Sequence, residues 1–488
     1  MPVHAKVFAT RLIGKSGATA AISVAAASVV AILTASVLAA VFVHGQATSI
    51  DGGTTTETGG RFAVVALLLA VVATAFVIRL DIAVPRWIPA FSGVLSFLIA
   101  LSLWMVVFAG LDSIAWMAYG GLQVLRARTT FADLDWVARA LECNGCDAWP
   151  QLHGPALELI HRVTGGIFGP QLVLPLGLLL AVLLSGALVY LSRNSEGIGK
   201  VALLIAAASP AWLLLLDRAN LDGLVLLVLV IGIWFAFRSD SIGSWALLAG
   251  MLFVVGAIKY YPFAAALVLL PALRLRRGWM VVAGFTIAVL GYMALYWNEF
   301  RNASAYNTER NAVLWDFPAY GRLFILDRTG ASVPGSAGWT VVNALVVGMV
   351  VASVLWGWSL RSLLRHSSPI PATLALGGST VFVAAIVVSG FGYMYKGGFL
   401  LLMVPVLSLV LANAQGLGSR FGLFSSLFML VLVVLALTVA YSSLLATISG
   451  VLAACFALGL AFGQIFPRYS WRWNPASQDE SSKMFGDT

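Results

Sequence analysis

VALLIAAASPAWLLLLDRANLDGLVLLVLVIGIWFAF, residues 201–237, holds two apolar runs, 201–216 and 221–237, parted by a short break that carries Asp217, Arg218, Asn220 and Asp222. Runs of this length and apolarity are membrane-span candidates, because a helix needs about 20 predominantly apolar residues to cross the hydrocarbon core. A break so short must hold its charged groups near the headgroup level. Charge at such a boundary is costly to keep, so a cluster of acid, amide and cation there is a candidate functional site.

The same pattern extends in both directions. Apolar segments are expected at 18–43, 62–80, 88–111, 168–192, 201–216, 221–237, 243–258, 261–273, 279–297, 339–360, 372–389, 398–413, 423–440 and 443–464. Several are short for a full span, and the pair flanking Lys259-Tyr260-Tyr261-Pro262 reads as a broken or re-entrant hairpin, since proline removes a donor and disfavours helix before it. With 60% hydrophobic and 10% charged residues in 488, no soluble globular composition fits. The expected fold is all-α, a polytopic integral membrane protein of about 12–14 transmembrane helices. The net charge of +9 comes from dispersed residues, which form no basic stripe of the kind that binds nucleic acid.

Lysine and arginine in the short loops set the orientation. With Lys6, Arg11 and Lys15 in the cytoplasm, Arg79, Arg86, Arg193, Lys200, Arg238, Arg274, Arg276, Arg277, Arg361, Arg365, Arg420, Arg468, Arg472 and Lys483 are cytoplasmic as well. The expectation is a multi-pass protein of the bacterial plasma membrane with both termini cytoplasmic. The first apolar segment is long for a signal-peptide core and reads as a retained helix. Residues 1–87 form N-terminal helices with a threonine-rich outer loop at 44–60, residues 88–415 a core with large outer loops at 111–166 and 298–338, and residues 416–488 the last helices and tail.

Cys143 and Cys146 fall in the second outer loop, in an oxidising compartment under this topology, and are expected to form a structural disulfide. A redox pair would want a βαβ setting. A zinc site would need partners that His153 and His161 supply only weakly. Cys455, in the last span, reads as an inert buried thiol.

The chemistry is expected at four outer boundaries. FADLDWVARA carries Asp133 and Asp135, either of which can act as a general base; the plainer reading of each is a solvated acid or a helix cap. LDRANLDG offers Asp217, Asn220 and Asp222 for sugar hydroxyls, with Arg218 beside them. Lys259 with Tyr260 and Tyr261, and Lys396 with Tyr393 and Tyr395, offer cations and phenols that suit phosphate. The plainer reading of the lysines is snorkelling, with the tyrosines as interfacial belt residues. In the outer loop from Asn298, the residues Asn302, Asn307, Glu309, Arg310, Asn311, Asp316 and Tyr320 resemble a lid, and Trp315 and Phe317 suit stacking on a sugar or anchoring at the interface.

The succession FADLDWV, LDRANLDGLVLL, KYYPFAAALVLLPALRLRRGW and YMYKGGFLLLMVPVL resembles the membrane-embedded GT-C glycosyltransferases, glycosyltransferase family 87 in particular, over most of 88–415. The resemblance implies a sugar taken from a polyprenyl-phosphate donor on the outer face and passed to a lipid or polysaccharide acceptor. It assigns the base to Asp133, with Asp135 as the alternative, and donor phosphate binding to Lys259, Tyr261, Arg218, Tyr395 and Lys396. Asp217, Asn220, Asp222, His153 and Asn307 would bind sugar or acceptor. Lys396 stands where relatives carry arginine, Ala219 where they carry glycine, and QLHGP at 151–155 departs from the asparagine-tyrosine-proline-arginine run, which puts the acceptor side in doubt. No cofactor is implied; Asp133, Asp135 and Asp217 are carboxylates that a divalent metal would accept, but no metal-ligand spacing is present. The competing classes are a transporter or flippase of lipid-linked saccharides, which would place charges at the midplane on repeated halves, a glycan polymerase or ligase, and a non-catalytic scaffold.

Overall fold

The computed structural model describes residues 87–108, 131–142, 155–165, 169–300, 337–365, 367–389, 394–438 and 443–469. The spans expected at 18–43 and 62–80, the loop at 44–60 and most of the loop beyond Asn298 lie outside the described residues. Among those described there is no strand. The helices are α1 (Ile88–Phe108), α2 (Ala132–Glu142), α3 (Ala156–Val163), α4 (Val173–Arg193), α5 (Gly197–Ala207), α6 (Pro210–Arg218), α7 (Leu221–Ser239), α8 (Ile242–Lys259), α9 (Gly278–Leu295), α10 (Ala337–Ser359), α11 (Pro369–Ser389), α12 (Val404–Gly416), α13 (Arg420–Thr438) and α14 (Ser443–Tyr469). Two long 3₁₀ segments, Tyr261–Arg274 and Met394–Met403, complete the framework.

The chain is an all-α, multi-pass membrane protein. Eight described helices are long and apolar enough to cross a bilayer, and α5 with α6 makes a ninth candidate, bent by 52°. Apolar side chains of α9, such as Ile287, Leu290 and Leu295, point outward, which a water-soluble surface would not tolerate in such number. Burial separates centre from rim: 83% of the Lys396–Gly416 window is covered by protein, against 17% for α9. Central α11 packs on both long 3₁₀ segments and on α14. Glycine permits a close contact between α10 and α14. A Cβ on Gly357 would lie 1.9 Å from the Phe456 carbonyl oxygen, and one on Gly459 equally close to that of Val354; such small-residue contacts are how helices approach in lipid.

Two expectations change. The segment 201–216 is two helices, because Ser209 is extended (φ −74°, ψ 146°) ahead of Pro210, and its hydroxyl caps α6 by accepting from the Trp212 amide at 3.3 Å. The short segment after Lys259 is tightly wound. Fourteen residues of 3₁₀ helix reach about 28 Å, where an α-helix of that length would reach about 21 Å. That brings an apparently short run close to the ~30 Å of a hydrocarbon core. Pro262 and Pro271 lie within it, each deleting an amide donor.

Candidate functional site

Between α6 and α7 the chain reverses on two residues. Ala219 takes a left-handed conformation (φ 46°, ψ 44°) and Asn220 caps α7, its side-chain oxygen accepting from the Asp222 amide at 2.8 Å. This tight corner packs Arg218, Asn220 and Asp222 together, all buried.

Helix α2 is tied to that corner. The Phe131 amide donates to the Asp217 carbonyl at 2.8 Å, while the Phe131 ring occupies the space that a side chain at Gly177 would need. Asp133, in the first turn of α2, thereby reaches α6 and α7. One of its carboxylate oxygens accepts from Arg218 Nε at 2.7 Å, and the other accepts from Asn220 Nδ2.

The third component is the break after α8. Tyr260 adopts φ 62°, ψ −58°, a sparsely populated conformation for a side-chain-bearing residue, and the turn it makes carries Lys259 and Tyr261 into one network. Lys259 Nζ lies 2.9 Å from Asp222 Oδ1 and donates to Asn220 Oδ1 at 3.2 Å. The Tyr261 hydroxyl donates to the same Asp222 oxygen. Lys396, 5% exposed, enters from the second long 3₁₀ segment; its Nζ lies 5.6 Å from the centre of the Tyr261 ring and donates to the Ala385 carbonyl at 3.4 Å. A hydrogen-bonded path thus runs from Asp133 through Asn220 and Lys259 to Asp222 and Tyr261.

Accessibility divides the two carboxylates. The Asp133 side chain is 18% exposed and that of Asp222 only 1%. Asp222 Oδ2 is buried with no hydrogen-bond partner. Asp135 stands apart, its carboxylate accepting from Arg139 Nε one turn along at 2.8 Å. That hydrogen bond, and then the charge behind it, raise the pKa of the exposed Arg139 guanidinium. Asp217 contributes its carbonyl to the tie with Phe131. The Tyr260 hydroxyl is buried without a partner. Burial first, then the neighbouring Glu299 and Tyr296, push its pKa up to about 12, so it remains a protonated donor.

His153, Asn307, Cys143, Cys146, Tyr393 and the Tyr395 side chain lie outside the described residues. Cys455 is a buried free thiol. No group of three His, Cys, Asp or Glu side chains able to hold a metal occurs among the described residues. Sequence reasoning missed three contributors: the Phe131 amide, the Ala385 carbonyl, and Tyr292, whose hydroxyl donates to the Ala257 carbonyl at 2.8 Å in the last turn of α8. The first two act through the backbone, and for those nothing in side-chain identity signals the role. Comparisons of the chain with protein-family models, curated proteins and solved structures find no match.

Proposed function

We propose that the chain is a membrane glycosyltransferase. It takes a sugar from a polyprenyl-phosphate donor and transfers it, with inversion, to a hydroxyl of a lipid or polysaccharide acceptor on the outer face. The observation that carries this reading is the partly accessible Asp133 carboxylate, fixed by Arg218 and Asn220 and joined through Lys259 to a cluster of buried cations and phenols. Acid and cations in one network suit a reaction that needs a base on one reactant and charge stabilisation on the other.

Asp133 accepts the acceptor's hydroxyl proton, each carboxylate oxygen having a lone pair beyond those engaged by Arg218 and Asn220. The freed oxygen forms a bond to the anomeric carbon as the bond from that carbon to the phosphate oxygen breaks. The leaving phosphate takes the electron pair, and the cations Lys259, Lys396 and Arg218 balance its charge. No general acid is required, because the departing phosphate is already an anion. The network lies at helix ends, on the last residue of α8 and the first turn of α7, which favours this reading over a transporter that holds its charges at the midplane.

The test is transfer by the reconstituted protein from labelled polyprenyl-phosphate hexoses and pentoses to a membrane glycolipid extract. Asp133→Asn should lower the rate by about 10²–10⁴-fold, the usual contribution of a general base. Transfer unaffected by that substitution overturns the assignment of the base, and absence of transfer from every donor overturns the glycosyltransferase reading.

A further inference from the structure

We infer that Asp222 is a positioning residue: its carboxylate holds the Lys259 ammonium where that ammonium also helps to fix the Asn220 amide against Asp133. The default for a lysine at the end of a span is to extend toward the polar boundary. Here Nζ turns inward instead, 2.9 Å from a carboxylate that is 1% exposed. Asp222 opens α7 in an otherwise apolar run, and a carboxylate there gains from the helix N-terminus. That gain would be available to an exposed acid as well, and it asks for neither a lysine nor a tyrosine. Yet Asp222 Oδ1 receives both Lys259 and the Tyr261 hydroxyl, while Oδ2 is left buried and unpaired. A group kept at that cost has a task.

The task follows from the Asn220 side chain. Its amide has an oxygen end and a nitrogen end, and its neighbours demand opposite ones: the Asp222 amide and Lys259 both donate to Oδ1, and Asp133 accepts from Nδ2. Reversing the amide would set its oxygen against the Asp133 carboxylate. Lys259 thus reinforces, beside the capping amide of Asp222, the orientation that serves Asp133, and the Asp222 carboxylate dictates where Lys259 sits. Two of the three ammonium donors are spent on protein acceptors, and the third is available to an anion. For its catalytic consequence, though not for its geometry, the inference rests on the reading of Asp133 as base and Lys259 as phosphate-facing.

The experiment is site-resolved labelling of lysines with an amine-reactive reagent, mapped by mass spectrometry on the full chain in lipid nanodiscs, with Lys200 near the opposite end as internal reference. Loss of a charge-assisted hydrogen bond should raise Lys259 labelling on the order of tenfold in Asp222→Asn and about twofold in Tyr261→Phe, with Asp222→Glu returning it toward wild type. Lys200 should not change. Lys259 labelling unaltered in Tyr261→Phe and Asp222→Asn overturns the inference, as does an equal rise at Lys200, which would mean general loosening. Should Asp222→Asn not fold, Tyr261→Phe decides alone. The same preparations are assayed for sugar transfer: the expected labelling without transfer from any donor leaves the positioning role standing and removes the glycosyltransferase reading. Transfer without the labelling change does the reverse.

Discussion

The two ends of this bundle use the same residue types to opposite purposes. At one end Arg218, Lys259 and Lys396 are withdrawn from solvent, two of them bonded to acids and the third to a carbonyl above the Tyr261 ring. At the other, Arg276, Arg277, Arg361 and Arg420 are exposed. Arg238 lies over the Trp234 ring and Arg361 over that of Trp358, while an ion pair there, Arg274 with Asp240, has a half-exposed acid. The first arrangement costs desolvation and is held in place by specific partners. The second costs almost nothing, and cations so placed can bias which way a chain threads a membrane. Net charge does not separate a topological cation from a chemical one; burial and partners do.

The sharpest way to break this contrast is to remove one cation from each end. Lys259→Met strands Asp222 in the interior and should destabilise the protein by about 3–5 kcal/mol, with the double substitution Lys259→Met, Asp222→Asn recovering much of that loss. Denaturation in mixed detergent micelles reads both, and additivity of the two single changes would sink the paired description. A smaller effect is expected for Asn220→Ala, which removes the cap of α7 and the bridge between Lys259 and Asp133. About 1–2 kcal/mol should be lost in the same assay, accompanied by a fall in transfer rate that a capping serine at 220 does not restore. Smallest is Arg274→Met, expected to change stability by no more than about 1 kcal/mol, and less in high salt. If it matched Lys259→Met, the two ends would not differ as described.

Much of this was legible in the sequence, for a physical reason. Charges between apolar runs favour a membrane boundary, so LDRANLD, KYYP and the stretch around Lys396 announced the ends of helices, and the fold gathers their polar residues into one cluster. What the sequence did not disclose was pairing. Arg218 meets Asp133 across 85 positions and Lys259 meets Asn220 across 39, and no periodicity encodes such partners. Asp133 and Asp135 looked alike until one turned toward α6 and α7 and the other toward Arg139. The break at Ser209-Pro210 was present in the sequence as a capping serine before a proline, but the apolar run around it hid the signal. Ala219, noted for standing where glycine is usual, proves to occupy a left-handed position (φ 46°) that glycine would take without strain.

The tightly wound segment Tyr261–Arg274 carries a mechanical liability. α-Helical spans with residues to spare meet a thinner or thicker bilayer by tilting, but fourteen residues that reach about 28 Å only at 3₁₀ pitch have no slack to give. Hydrophobic mismatch is therefore felt first at the end of this strut, where Tyr261 and its neighbour Lys259 stand. If the proposed transfer is the activity, it should fall off in bilayers thicker than this reach before any loss of helix content is seen by circular dichroism; activity indifferent to lipid chain length would show that the strut is not under such tension.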